Sequence, residues 1–176
     1  KKLSFSSSRS EIERANIYIV TVPTPINYKK SPDLSFIREA SKIISKLLNF
    51  GDYVIYESTV YPGVTEEFCV PILEKYSHLK LNKDFFVGYS PERINPGDKV
   101  HTFSNIAKIV SGSNKKALNF IQNLYSSVIK QKIYPVSSIK IAEAAKVIEN
   151  SQRDLNVAFV NELAIIFDKM SINTHE

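Results

Sequence analysis

The chain has 176 residues, 43% of them hydrophobic and 23% charged, with 23 Lys and Arg against 18 Asp and Glu for a net charge of +5. That suits one ordinary globular domain, or one domain with an appendage. It excludes a membrane-spanning helix within this stretch, since no apolar run is long enough to cross a bilayer.

The scattered lysines form no basic run of the kind a nucleic-acid arm carries, so no nucleic-acid or membrane partner is expected. The charge reads as a solvated surface or, next best, as a site for an anionic small molecule. The start, KKLSFSSSRSEIERAN, has two lysines but no apolar core behind them, so it is not a signal peptide and a cytoplasmic protein is expected.

NIYIVTV at 16–22 is a short, almost wholly apolar, β-rich run, and VPTPIN follows it. Residues 33–50 read as a helix, because Phe36, Ile37, Ala40, Ile43, Ile44, Leu47 and Leu48 form one apolar stripe. Asp33 is its expected N-cap and Gly51 its stop. YVIYES at 53–58 is a second strand, followed by ESTVYPGVTEE at 57–67. A helix is expected over 64–76, interrupted or delayed by Pro71. DFFVGYS at 84–90 is a third strand, running into SPERINPGD at 90–98. NIAKIVSG at 105–112 is a fourth strand, 115–130 a helix, and KIYPV at 132–136 a weaker fifth strand. From 138 to 170 there is neither Gly nor Pro, and one long helix is expected, reaching towards another domain or subunit.

Continuous apolarity within the strands implies that both faces are covered, the habit of parallel sheets. Alternation of strand and helix then gives an α/β fold: a partial doubly wound, Rossmann-like parallel sheet followed by a long central helix. A G-x-G-x-x-G phosphate fingerprint is absent. Residues 1–136 therefore read as the latter part of a dinucleotide-binding domain, and 137–176 as the start of a central helical segment.

In such sheets ligands bind beyond the carboxyl ends of the strands. Three successive turns there carry prolines, hydroxyls and carboxylates. Each alone is an ordinary tight turn; three at one edge point to a site, with Pro91 and Pro96 bracketing Glu92. On the long helix, Glu143, Lys146, Asn150 and Arg153 are spaced by three, four and three, and Asn156 extends the row. This is either a solvated stripe with local pairs such as Glu143 with Lys146, or a polar face that could hold a developing alkoxide. Cys69, beside Phe68 and Val70, reads as a small buried hydrophobe. His78, His101 and His175 have no metal-ligand spacing, and no metal is expected.

VPTP, YESTVYPG, YSPERINPGD and KIAEAAKVIENSQRDLNVAFVNELA, in this order, resemble the UDP-glucose/GDP-mannose dehydrogenase family. The likeness is strongest to the branch acting on UDP-N-acetylhexosamines, including the Vi-polysaccharide type. It implies an NAD-dependent oxidation of the sugar C6 alcohol to the uronic acid by two hydride transfers, for surface polysaccharide synthesis. It implies Thr59 as the residue that positions a catalytic water beside the nicotinamide, Glu92 as general acid/base, and Lys146 and Asn150 as oxyanion stabilisers. Thr24, Ser58 and Thr59 would contact the cofactor; Glu92, Arg93, Ile94, Lys146, Asn150 and Arg153 would contact the substrate.

In the UDP-glucose branch a second glutamate follows the first by four residues; here Pro96 stands there, which favours an N-acetylated sugar over UDP-glucose. The motifs that hold the family's catalytic cysteine and UDP-binding domain have no match, so the chain resembles a central fragment, inactive by itself. The family's long helix packs against its copy, which implies a homodimer. The alternative from a different class is a non-catalytic α/β module with a dimerisation arm.

Overall fold

Five β-rich runs become five strands, and the computed structural model describes residues 3–94, 97 and 102–176. Pro96, Asp98 and His101 lie outside the described residues. The strands are β1 (Ile17–Val20), β2 (Tyr53–Tyr56), β3 (Phe86–Tyr89), β4 (Lys108–Gly112) and β5 (Ile133–Pro135). They form one sheet in sequential order. β1, β2 and β3 are parallel, and Val20 pairs with Tyr56 and Tyr56 with Tyr89, so all three end level. The three turns that follow them therefore share one edge.

The sheet is not parallel throughout. β4 runs antiparallel to β3, and β5 runs parallel to β4. Apolar runs report burial on both faces, not direction, so this reversal was invisible in the pattern. A right-handed crossover puts its helix on opposite faces for strands running opposite ways. The reversal thus sends α3 (Lys115–Ser126) to the far side of the sheet from α1 (Ser35–Ser45) and α2 (Val70–Ser77). Two cores result. Val54, Tyr56, Val87 and Tyr89 pack with Ile37 and Ile44 of α1 and Leu73 of α2. Ile55 and Val110 pack with Leu118, Ile121 and Tyr125 of α3. Each fully buried aliphatic side chain contributes about 1.5–3 kcal/mol. Gly88 lets α3 come close: a Cβ there would lie 2.1 Å from Ile121 Cδ1 and 2.6 Å from the Ser111 carbonyl oxygen.

Helix ends differ from the sequence expectation in detail. α1 begins at Ser35 after Leu34, and Asp33 instead accepts from the Ser35 N–H at 2.9 Å; the helix stops at Ser45, short of Gly51. The segment expected as a helix over 64–76 opens as a wide π-helical turn, Val64–Cys69, and becomes α-helical only from Val70. Pro71 falls in the first turn of α2, immediately after that π-helical turn.

The long helix forms as expected. α4 spans Ile139–Lys169, with the Ser138 side chain accepting from the Ile141 N–H as N-cap. Its first two turns dock on the body, burying Ile139, Ala142, Glu143 and Lys146. Beyond them Leu155 and Phe159 are 69% and 64% exposed. Among the described residues no helix is long and apolar enough to cross a membrane.

Candidate active site

The level ends of β1 and β2 open into a cleft of about 380 Å³, lined by Val22, Thr24, Glu57, Ser58, Thr59 and Glu92 among others. Two hydroxyls tie its walls together. Ser58 Oγ donates to the Val22 carbonyl at 2.6 Å, and Thr24 Oγ1 donates to the Thr59 carbonyl. With those protons committed, Ser58 and Thr24 fix the loop backbones and keep only lone pairs for a ligand. Thr59 is exposed at the cleft lip.

Glu92 reaches the cleft from the turn after β3. Its Oε1 accepts from the N–H groups of Arg93 and Ile94 at 2.6 and 2.8 Å, so the carboxylate closes its own turn. Its Oε2 lies 3.7 Å from Lys108 Nζ. Lys108 is 2% exposed, and its ammonium also pairs with Glu57 Oε1 at 3.0 Å and donates to the Pro91 carbonyl at 3.3 Å. The Tyr125 hydroxyl donates to that same Glu57 oxygen. Burial, aided by the Glu57 charge, holds the Tyr125 phenol well above its ordinary value. Glu57, Lys108 and Tyr125 were not singled out from the sequence. The one available signal was a lysine within an otherwise apolar strand run, NIAKIVSG.

The helical row resolves differently from a solvated stripe. Glu143 does not pair with Lys146. It is fully buried, and its carboxylate accepts from the Gly63 N–H at 2.6 Å and the Thr65 N–H at 2.9 Å. Gly63 takes φ +100°, a left-handed conformation that turns its amide into this cap. The carboxylate thereby satisfies the orphan donors at the head of the π-helical turn. One turn on, Lys146 is buried, and among the described residues it makes no ion pair. Burial holds its amine below the ordinary lysine value; Glu149 and Glu92 oppose this, and Arg153 and Arg93 reinforce it.

Arg93 staples the turn to α4, its guanidinium donating to the Ala107 carbonyl at 3.2 Å and to Glu149 Oε1 at 3.0 Å. Arg153 donates to that same Glu149 oxygen at 3.2 Å. Asn150 is exposed and lines a separate depression with Arg153, and Ile94 is 39% exposed. The structure thus brings Thr24, Ser58, Thr59 and Glu92 into one cleft and sets Lys146 within electrostatic reach of Glu92. Asn150 and Arg153 continue along α4 outside it.

Cys69 is fully buried, and burial pushes its thiol up to about 12. Among the described residues no group of three or more His, Cys, Asp or Glu side chains could hold a metal ion.

Residues 1–129 match the NAD binding domain of the UDP-glucose/GDP-mannose dehydrogenase family, and residues 140–176 match that family's central domain. The chain is 57% identical over 173 residues to a UDP-N-acetyl-D-glucosamine 6-dehydrogenase of Pseudomonas aeruginosa, covering 98% of this chain and 41% of that protein. It is 55% identical over 174 residues to protein CapL of Staphylococcus aureus, covering 99% and 41%. The solved structure of a UDP-D-ManNAc dehydrogenase from Pyrococcus horikoshii superimposes with a TM-score of 0.90 at 32% identity, covering 97% of this chain and 40% of that one. The chain therefore spans about two fifths of these relatives, and with both of its segments matched it belongs to the UDP-glucose/GDP-mannose dehydrogenase family.

Proposed function

We propose that this segment supplies the latter part of the NAD-binding domain (1–136) and the start of the central helical domain (137–176) of a cytoplasmic dehydrogenase. That enzyme oxidises C6 of a UDP-N-acetylhexosamine to the uronic acid for surface polysaccharide synthesis. The observation that carries the reading is the meeting of Thr59 and Glu92 on one cleft at the carboxyl edge of the sheet. The chemistry named for the relatives at 57% and 33% identity, which act on UDP-N-acetylglucosamine and UDP-N-acetylmannosamine, supports the substrate class.

The cleft suits the reactive end of a nicotinamide cofactor. Val22 and Pro23 give an apolar wall, and Thr24, Ser58 and Thr59 give short side chains that leave backbone within reach. Thr24, Ser58 and Thr59 would hold NAD there, and the cofactor would supply the hydride acceptor for each of the two oxidations. Glu92, fixed by its own turn amides, takes the proton released as the alcohol is oxidised. The buried Lys146 ammonium, unpaired by any described carboxylate, stabilises the developing alkoxide charge. Asn150, exposed one turn further along α4 outside the cleft, serves the same charge only if the bound sugar spans both. Thr59 orients the water that attacks later in the sequence. Cys69, buried and with its thiol pushed up to about 12, is unsuited to nucleophilic attack and is not the catalytic cysteine that the family resemblance implies. The exposed Leu155, Phe159 and Ile166 of α4 support a homodimer formed through that helix.

The test is NADH formation by the full-length protein carrying this segment, with UDP-N-acetylhexosamines as substrates. Glu92→Gln lowers kcat by about 100- to 10,000-fold while NAD affinity stays nearly unchanged. Undiminished turnover in that variant removes Glu92 from its role.

A further inference from the structure

Lys108 is a fully buried ammonium that the mechanism above does not use. It lies at the head of β4, and because β4 runs against β3, the head of the strand meets the ligand edge. Tyr89 pairs with Ser111, so Lys108 falls beside the turn that carries Glu92. Its Nζ stands between two carboxylates that both line the cleft, at 3.0 Å from Glu57 Oε1 and 3.7 Å from Glu92 Oε2.

The two carboxylates are not equivalent. Glu57 is 7% exposed and is bound by the ammonium and the Tyr125 hydroxyl. Glu92 is 37% exposed, and among the described residues its outer oxygen has Lys108 as its sole charged partner. Burying an ammonium is costly even when it is paired, and an apolar residue of similar size is often as stable. A lone structural pair needs only one acid, and Glu57 already supplies it.

We propose that Lys108 is a positioning residue for Glu92. With its charge balanced from beneath by Glu57, it holds the outer oxygen of Glu92 at the cleft and keeps the two acids in separate roles. This rests on the assignment of Glu92 as the acid/base group of the proposed dehydrogenase.

The experiment is a double-mutant cycle in the full-length protein, with kcat, KM and NAD affinity measured for Lys108→Met, Lys108→Arg, Glu92→Gln and the Lys108→Met/Glu92→Gln double variant. Misplacing a catalytic group by about 1 Å can lower the rate by about 100-fold, and that is the fall in kcat expected for Lys108→Met, with KM for NAD unchanged. Lys108→Arg restores most of the rate. In the Glu92→Gln background Lys108→Met changes kcat by less than about twofold, because a residue acting only through Glu92 is not additive with it.

Equal losses in both backgrounds, or a rise in KM for NAD with kcat intact, overturn the proposal. Should Lys108→Met not fold, Lys108→Met/Glu57→Gln removes both buried charges and carries the same expectation. Failure of that variant to fold as well makes Lys108 structural and ends the proposal. No NADH from the unsubstituted protein ends the dehydrogenase reading and this inference together. Turnover by the unsubstituted protein with additive losses ends this inference alone.

Discussion

Replacing Glu143 by alanine removes both acceptors from the head of the turn after β2. The two hydrogen bonds, at 2.6 and 2.9 Å, join a fully buried carboxylate to backbone amides. Each such charge-assisted bond contributes about 1.5–3 kcal/mol. Removing a buried carboxylate also relieves its desolvation, which offsets part of the loss. Alanine meanwhile leaves the Gly63 and Thr65 N–H groups without a partner. A net destabilisation of about 2–3 kcal/mol follows. Glu143→Gln keeps one acceptor and turns an NH2 group towards the other amide, so about half that loss is expected. The readout is residue-resolved amide hydrogen exchange in the full-length protein. An opening free energy lower by about 2–3 kcal/mol raises the exchange rates of the Gly63 and Thr65 amides roughly 30- to 150-fold, with the β2 and β3 amides affected less. Unchanged protection at those two amides in Glu143→Ala would refute the claim that this carboxylate holds the turn.

Other perturbations follow from the same geometry. Gly88→Ala forces α3 off the sheet, and because the Ser111 carbonyl cannot retreat as a side chain can, the expected loss is about 3 kcal/mol by denaturant unfolding; Ile121→Ala in the same chain rescues it only in part. With a thiol pushed up to about 12, Cys69 carries a thiolate fraction on the order of 10⁻⁴ at pH 8, so aromatic disulfide reagents react only after unfolding. The same shift makes stability fall as pH rises from 9.0 to about 12, because the unfolded chain loses that proton first; a Cys69→Ala variant shows a shallower alkaline decline. Phe159→Glu places a charge on the exposed face of α4, the face proposed to form the homodimer. The expected outcome by sedimentation equilibrium of the full-length protein is dimer without the substitution and monomer with it, and equal masses for the two refute the proposed interface.

What the sequence made legible, and what it hid, divides along physical lines. Strand runs rich in Val, Ile, Phe and Tyr mark β2 and β3 because burial on both faces leaves no polar alternation. At the sheet edges Ile19 of β1 and Tyr134 of β5 are exposed, and there the run reports β propensity rather than burial. The absence of Gly and Pro over 138–170 marks α4 because nothing there interrupts the hydrogen-bond ladder. Direction is another matter. An apolar run reads alike whichever way the strand points, and so nothing in the pattern shows that the first residue of β4, Lys108, meets the same edge as the last residues of β1, β2 and β3. Helical spacing likewise shows that Glu143 and Lys146 share a face, but not which face docks. Only the fold shows that the first caps a distant turn and the second is buried without an ion pair among the described residues.

These two omissions share a cause that explains how the cleft holds its shape. The turn after β2 is fixed from three sides: by Thr24 and Ser58 across to β1, by Glu143 from α4, and by Glu57 through Lys108 from β4. Three of those four ties join residues 36 to 78 positions apart, and the remaining one spans 35. A motif reports the residues that chemistry needs at one turn. The groups that hold such a turn still come from wherever the topology brings a donor or a charge, and here the reversed strand and the central helix bring them. Preorganisation of Thr59 and Glu92 is thus a property of the sheet order as much as of the turns in which they sit.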